Sequence, residues 1–225
     1  MGEVVRFPAN GHSTSGYLSL PSTGPGPALL VIQEWWGLVD HIKDVADRFA
    51  TAGFVALAPD FYDGQSTQSP DTAAKLFMAL NIERAAADLR GAADYLLGRP
   101  DVTSNRVGAL GFCMGGQLAL YAGTEFPDRF GAVVDFYGIH PKVPVDRHRL
   151  RVPVQGHFGR RDTSVPVAAV EDLAAGVRSG GGTFEAHLYD ADHAFFNDTR
   201  PSVFDRTAAD LAWTRSVSFL TRYLG

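Results

Sequence analysis

Apolar residues fall along this chain in two periods. Short runs rich in apolar residues recur at Ala28 to Gln33, Phe54 to Ala58, Arg106 to Gly111, Ala132 to Phe136, Val152 to Phe158 and Thr183 to Tyr189. Runs of that length fit strands buried on both faces of a sheet. Between most of them lie stretches with helical spacing, such as Ile42, Val45, Ala46 and Phe49, or Ile82, Ala85, Ala86, Leu89, Ala93 and Leu96. Strands alternating with helices imply right-handed crossovers, and so an α/β fold with a mainly parallel central sheet and helices on both faces. Ahead of this pattern, Val4 to Pro8 and Tyr17 to Leu20, joined across Asn10 and Gly11, predict an N-terminal hairpin, followed by a Pro/Gly-rich linker at Pro21 to Pro27. No repeat or long linker divides the remainder. The expectation is one domain over residues 1–225, with the polar stretch Tyr62 to Ala73 as a mobile loop over the sheet.

Composition narrows the partners. The chain has 225 residues, 45% hydrophobic and 20% charged, enough for one large core without disulfides or structural metal. Its net charge of -5 and scattered basic residues argue against nucleic acid as a partner. No segment has the signature of a leader or the apolar length of a membrane span, so the expected address is cytoplasmic. One cysteine, Cys113, precludes an internal disulfide and argues against a cysteine-based zinc site. No metal or cofactor is expected, and the chain is read as a monomer or small homo-oligomer.

In such a sheet, ligands bind beyond the carboxyl ends of the strands, where four residues stand out. Cys113 lies in "GALGFCMGG", a G-x-nucleophile-x-G pattern between a strand and an apolar helical stretch from Gln117 to Gly123. This is the pattern of a nucleophile elbow with cysteine for serine. The following helix terminus favours a thiolate, and the amide of Met114 is placed to receive a carbonyl oxygen under attack. The same glycines also allow a dinucleotide loop with Asp135 as a ribose-binding acid, but their spacing is not G-x-G-x-x-G. A thiol needs a base, and elbow enzymes run in the order nucleophile, acid, histidine. His193, in "YDADHAFFN" after the last strand, fits best; His187 lies inside that strand, and His12, His41, His140, His148 and His157 precede the acid. Asp162, in "GHFGRRDTSVP", fits the acid, with a helix cap as its alternative ahead of a helix near Val165. Asp190 and Asp192 are too close in sequence to His193 to face its ring readily. Glu34, in "VIQEWWG", ends the first long strand and is a possible second base or a solvated loop carboxylate.

The markers "QEWWG", "DVADRFATAGFVALAPDFY", "GFCMGG", "GRRDTSVP" and "DADHAFF", in this order from about Val4 to Tyr223, resemble the dienelactone hydrolase (carboxymethylenebutenolidase) family of α/β-hydrolase proteins. The resemblance implies Cys113, Asp162 and His193 as a triad opening a small-molecule ester or lactone through a thioester. It implies Glu34 as the carboxylate that holds the resting thiol and takes its proton, and the amides of Trp35 and Met114 as the oxyanion hole. The two arginines with which that family grips a substrate carboxylate have no counterpart here; their places fall around Pro70 and Asn197. Arg160, Arg161 or Arg200 could substitute for them, but each is read first as a solvated loop charge. Trp36, Phe61, Tyr62, Phe195 and Asn197 are the candidate substrate contacts. The alternative function is a non-catalytic thiol sensor or binding module on the same fold.

Overall fold

The computed structural model describes residues 2–225. Two antiparallel strands, β1 (Glu3–Ala9) and β2 (His12–Ser19), form the predicted hairpin, turning at Asn10 and Gly11, both with positive φ. Strands β3 (Ala28–Ile32), β4 (Val55–Pro59), β5 (Val107–Phe112), β6 (Phe130–Phe136), β7 (Val154–Gly159) and β8 (Phe184–Tyr189) follow. They make one eight-stranded sheet in the order β1-β2-β4-β3-β5-β6-β7-β8, parallel from β4 to β8 and antiparallel at the hairpin. Strands β3 to β7 are buried at every position, as their apolar-rich runs require.

The described residues form six helices: α1 (Asp40–Thr51), α2 (Pro70–Ala79), α3 (Ile82–Leu97), α4 (Met114–Glu125), α5 (Val167–Ser179) and α6 (Arg206–Leu224). The two glycines of β5 show that both faces are covered. A Cβ at Gly108 would strike Leu220 and Leu224 of α6, whereas one at Gly111 would strike Gly115 of α4. Positions three apart on a strand point to opposite faces, so α6 and α4 lie on opposite sides.

The polar stretch from Tyr62 to Ala73 departs from its reading as a mobile loop. Its second half is the start of α2, capped by Ser69 with Pro70 in the first turn, a start signal that the stretch's polarity obscured. Its first residues, with the preceding Phe61, turn inward: Phe61 and Tyr62 are buried in the core. Helix α6 was not read from the sequence at all. Asp205 caps it, and Ala208, Ala209, Ala212, Ser216, Phe219 and Leu220 mark its buried face at helical spacing. Asp135, weighed above as a ribose-binding acid, is instead fully buried, with Oδ1 accepting from the Gly138 amide.

Candidate active site

Every strand from β3 to β8 except β4 delivers one of the residues that converge at the sheet's carboxyl edge. Strands β3 and β5 are direct neighbours with Ile32 opposite Gly111, so Glu34 and Cys113 stand two residues beyond matched positions. β4 lies on the far side of β3, so the chain's winding reverses between β3 and β5, the crevice where open α/β sheets bind ligands.

Cys113 occupies the turn between β5 and α4 with φ 54° and ψ -117°, a conformation that costs a non-glycine residue roughly 1–3 kcal/mol. The flanking glycines are dictated by close approach. A Cβ on Gly111 would lie 2.0 Å from the Gly115 carbonyl oxygen, and one on Gly115 would lie 2.4 Å from the Ile32 oxygen. The second contact presses the first turn of α4 against the Ile32 and Gln33 carbonyls at the end of β3. Met114 opens α4, where backbone N–H groups lack intrahelical acceptors.

Asp162 and His193 meet as the chain order of an elbow enzyme requires. The His193 Nδ1–H donates to Asp162 Oδ2 at 2.6 Å, while Asp162 Oδ1 accepts from the amides of Ser164 at 2.7 Å and Val165 at 2.9 Å. The carboxylate is wholly buried and the imidazole side chain 27% exposed. Asp162 is therefore not the cap of α5, whose N-cap is Pro166. Asp190 and Asp192 pair with Arg161 on the surface and leave His193 to Asp162.

With Nδ1 committed to Asp162, the other ring nitrogen of His193 is left for Cys113, one of the groups that raise the pKa of the ring. Burial pulls the imidazole pKa down, but the hydrogen bonds to Asp162 and Cys113, with their charges, overcome it and raise the value from 6.5 to about 10. A folded-state pKa above the unfolded value gives stability that is complete below about pH 6.5 and is lost as pH rises toward 10. The unfolding midpoint in urea is therefore expected to fall between pH 6.5 and 9.5, and Asp162→Asn is expected to flatten that fall. A native midpoint independent of pH over this window would contradict the pairing.

Glu34 is not bonded to the thiol. It is 1% exposed, and its Oε2 accepts from Asn197 Nδ2 at 3.0 Å, while Oε1 has no partner. Asn197 is held in turn by Thr199, whose amide and hydroxyl both donate to its Oδ1. Asn197, read from the sequence as a substrate contact, is a buried residue bonded to Glu34 that also lines the groove beside Trp36. Phe195 is corrected: it is fully buried, packed against Tyr137, Phe136 and Tyr189. Tyr62 donates its hydroxyl to Met114 Sδ at 3.2 Å, and Phe61 and Tyr62 line a small cavity of about 170 Å³ away from Trp36.

Trp36 lines a larger groove of about 800 Å³, with Leu38, Ser66, Thr67, Asn197 and Arg200 on its walls. The Arg200 guanidinium lies over the Trp36 ring at 5.3 Å from its centroid, rather than free in solvent. A second cavity, of about 890 Å³, lies over α3 and contains none of the candidate residues. Sequence reasoning missed Tyr137, whose ring sits 4.9 Å from the His193 ring. It follows β6 directly, so the strand-end rule that found the other four would also have found it.

An eight-stranded, mainly parallel sheet with a strained strand-to-helix cysteine and an adjacent acid–histidine pair defines an α/β-hydrolase fold. Residues 14–224 match the model of the dienelactone hydrolase family, and the chain belongs to that family of hydrolases. Over full length on both sides it is 37% identical to "Protein usf" of Aquifex pyrophilus and 34% identical to the "Putative carboxymethylenebutenolidase" of Aquifex aeolicus. The crystal structure of a "Putative Dienelactone Hydrolase" from Klebsiella pneumoniae superposes with a TM-score of 0.90 at 28% identity, covering 99% of each chain. Among the described residues, no helix is long and apolar enough to cross a membrane.

Proposed function

We propose that this protein hydrolyses a carboxylic ester or lactone through a thioester on Cys113. The observation that carries this reading is the strained cysteine at the elbow beside a histidine fixed by a buried carboxylate. The Cys113 thiol gives its proton to Glu34, and the sulfur attacks the acyl carbon. The carbonyl oxygen takes up the negative charge against the amides of Trp35 and Met114. As the carbonyl re-forms, the bond to the alcohol oxygen breaks and His193 protonates that oxygen. In a lactone the freed alcohol stays tethered to the acyl chain. His193 then takes a proton from water, the hydroxide attacks the thioester, the acid leaves as the thiolate re-forms, and Glu34 returns its proton to the thiolate to restore the resting thiol. The groove beside Trp36 receives the acyl or alcohol portion, and its mixed apolar and polar walls suit a substrate larger than a simple acetate ester.

The test is intact-protein mass spectrometry after mixing with a panel of activated esters and lactones and quenching in acid. An added acyl mass on Cys113 that disappears with time and with hydroxylamine is expected. A thiol that peroxide oxidises but that no ester acylates would favour the sensor reading and overturn the hydrolase one.

Replacing Glu34 by Gln should lower turnover roughly a hundredfold, the contribution of a positioned proton acceptor. The carboxamide oxygen can keep the bond to Asn197, so folding should be retained. Turnover within about threefold of the native enzyme would remove Glu34 from the mechanism and leave thiol activation to His193 alone.

A further inference from the structure

Strand β4 delivers no reacting group to the sheet edge, yet the loop after it is bonded to both segments that carry the proposed oxyanion amides. That loop, from Asp60 to Thr67, folds around its own first residue. Asp60 Oδ1 accepts from the Tyr62 amide at 2.9 Å, and Oδ2 accepts from the Gly64 amide. On one side the Phe61 N–H donates to Gln33 Oε1 at 3.3 Å and the Thr67 N–H to the Trp36 carbonyl at 3.0 Å. The loop thus holds the chain immediately before and after Glu34 and Trp35. On the other side Tyr62 Oη donates to Met114 Sδ at 3.2 Å, reaching past the end of β3, which lies between β4 and β5 in the sheet.

The contact to Met114 is chemically specific. Tyr62 is 5% exposed and Met114 1%, so the phenol is largely removed from water and depends on the sulfur for its hydrogen bond. A thioether is a weak acceptor, and a phenylalanine at position 62 would fill the same space without needing one. Burial first, and then the Cys113 charge, raise the phenol pKa, so the hydroxyl stays protonated and donates. The sulfur it holds belongs to the residue that opens α4 directly after the nucleophile.

We propose that Tyr62, read from the sequence as a substrate contact, is a positioning residue for the oxyanion hole: its hydrogen bond to Met114 fixes the amide of that residue relative to the amide of Trp35, which the same loop holds from the other side. The inference rests on the hydrolase reading for its kinetic arm only.

The experiment compares the native protein with Tyr62→Phe, Met114→Leu and the double variant. Phenylalanine keeps the ring and its packing, and leucine keeps the amide and nearly the volume of methionine while removing the sulfur, so all should stay folded. Removing an oxyanion donor outright costs roughly a hundredfold or more, and letting one drift costs less, so kcat of Tyr62→Phe should fall about tenfold. KM should not change, because formation and breakdown of the thioester both pass through an oxyanion and are slowed alike. A raised KM with native kcat would restore Tyr62 as a substrate contact and overturn the proposal. Met114→Leu should show the same loss and the double variant no more than either, since both substitutions remove one bond. Alkylation of Cys113 by iodoacetamide forms no oxyanion, so its rate should stay native in every variant. A fall in alkylation parallel to that in kcat would place the fault in the thiol and overturn the positioning role. A readout independent of any ester comes from methionine labelled with ¹³C at its methyl group. The Met114 signal, identified by its disappearance in Met114→Leu, should move in Tyr62→Phe toward that of an unrestrained methionine. An unchanged signal overturns the proposal whether or not an ester is turned over. If the signal moves but the native protein turns over no ester, the hydrolase reading fails and the Tyr62–Met114 brace stands.

Discussion

Replacing Cys113 by Ala is expected to abolish turnover while leaving a folded protein, with kcat reduced by roughly a millionfold, the scale seen when a triad nucleophile is removed. That factor corresponds to about 8 kcal/mol of transition-state stabilisation. The thiol is half-buried and the helix it precedes takes no side-chain cap from it, so little folding energy depends on sulfur. Backbone strain sharpens the test. At φ 54° alanine keeps the penalty that cysteine bears, whereas glycine relieves it, so Cys113→Gly should melt above Cys113→Ala while being equally inactive. Cys113→Ser should also be severely impaired, because a hydroxyl is far harder to ionise in a site arranged for a thiol. Ester turnover and thermal melting of the three variants provide the measurement. An alanine variant with near-native kcat would remove Cys113 from the mechanism.

Asp162→Asn should lower kcat by about ten-thousandfold, or about 5 kcal/mol, with folding intact. The argument lies in how the two carboxylate oxygens are used. Oδ1 accepts from the amides of Ser164 and Val165, and an asparagine oxygen can keep both bonds. Its amide nitrogen then replaces Oδ2 and must donate to His193 Nδ1. That moves the ring proton to the nitrogen facing Cys113, where the imidazole can no longer accept one. Steady-state kinetics and circular dichroism test this together. A variant that melts early but retains native activity per folded molecule would make Asp162 a structural residue of the loop and send the search for the acid elsewhere.

The β-strands were legible because burial on both faces demands runs rich in apolar residues, a signal unbroken in β3, β4 and β5 and interrupted only by Asp135 in β6 and by Gln155 and His157 in β7. The strand-to-helix turn at Cys113 and the pairing of Asp162 with His193 were legible because the elbow pattern and the chain order of its partners are local or ordinal properties of a sequence. Helix α2 was hidden within a polar stretch whose capping signal, Ser69 before Pro70, outweighed its lack of apolar periodicity. Phe195 was read as a pocket aromatic, but an aromatic side chain buries equally well in a core, and which way it turns depends on the packing around it.

The sequence by itself determined the sheet, the elbow and the order of the groups around it, since each depends on residue type and spacing along one chain. Only the tertiary structure decided what each carboxylate touches. Asn197 and Glu34 are 163 positions apart and meet because β3 and the segment after β8 end on the same edge. Tyr137 enters the site because β6 lies beside β5, two strands from β3. Such partnerships arise from strand order across a sheet, and hydrogen bonds between residues so distant are set by the register of the intervening strands rather than by any local pattern.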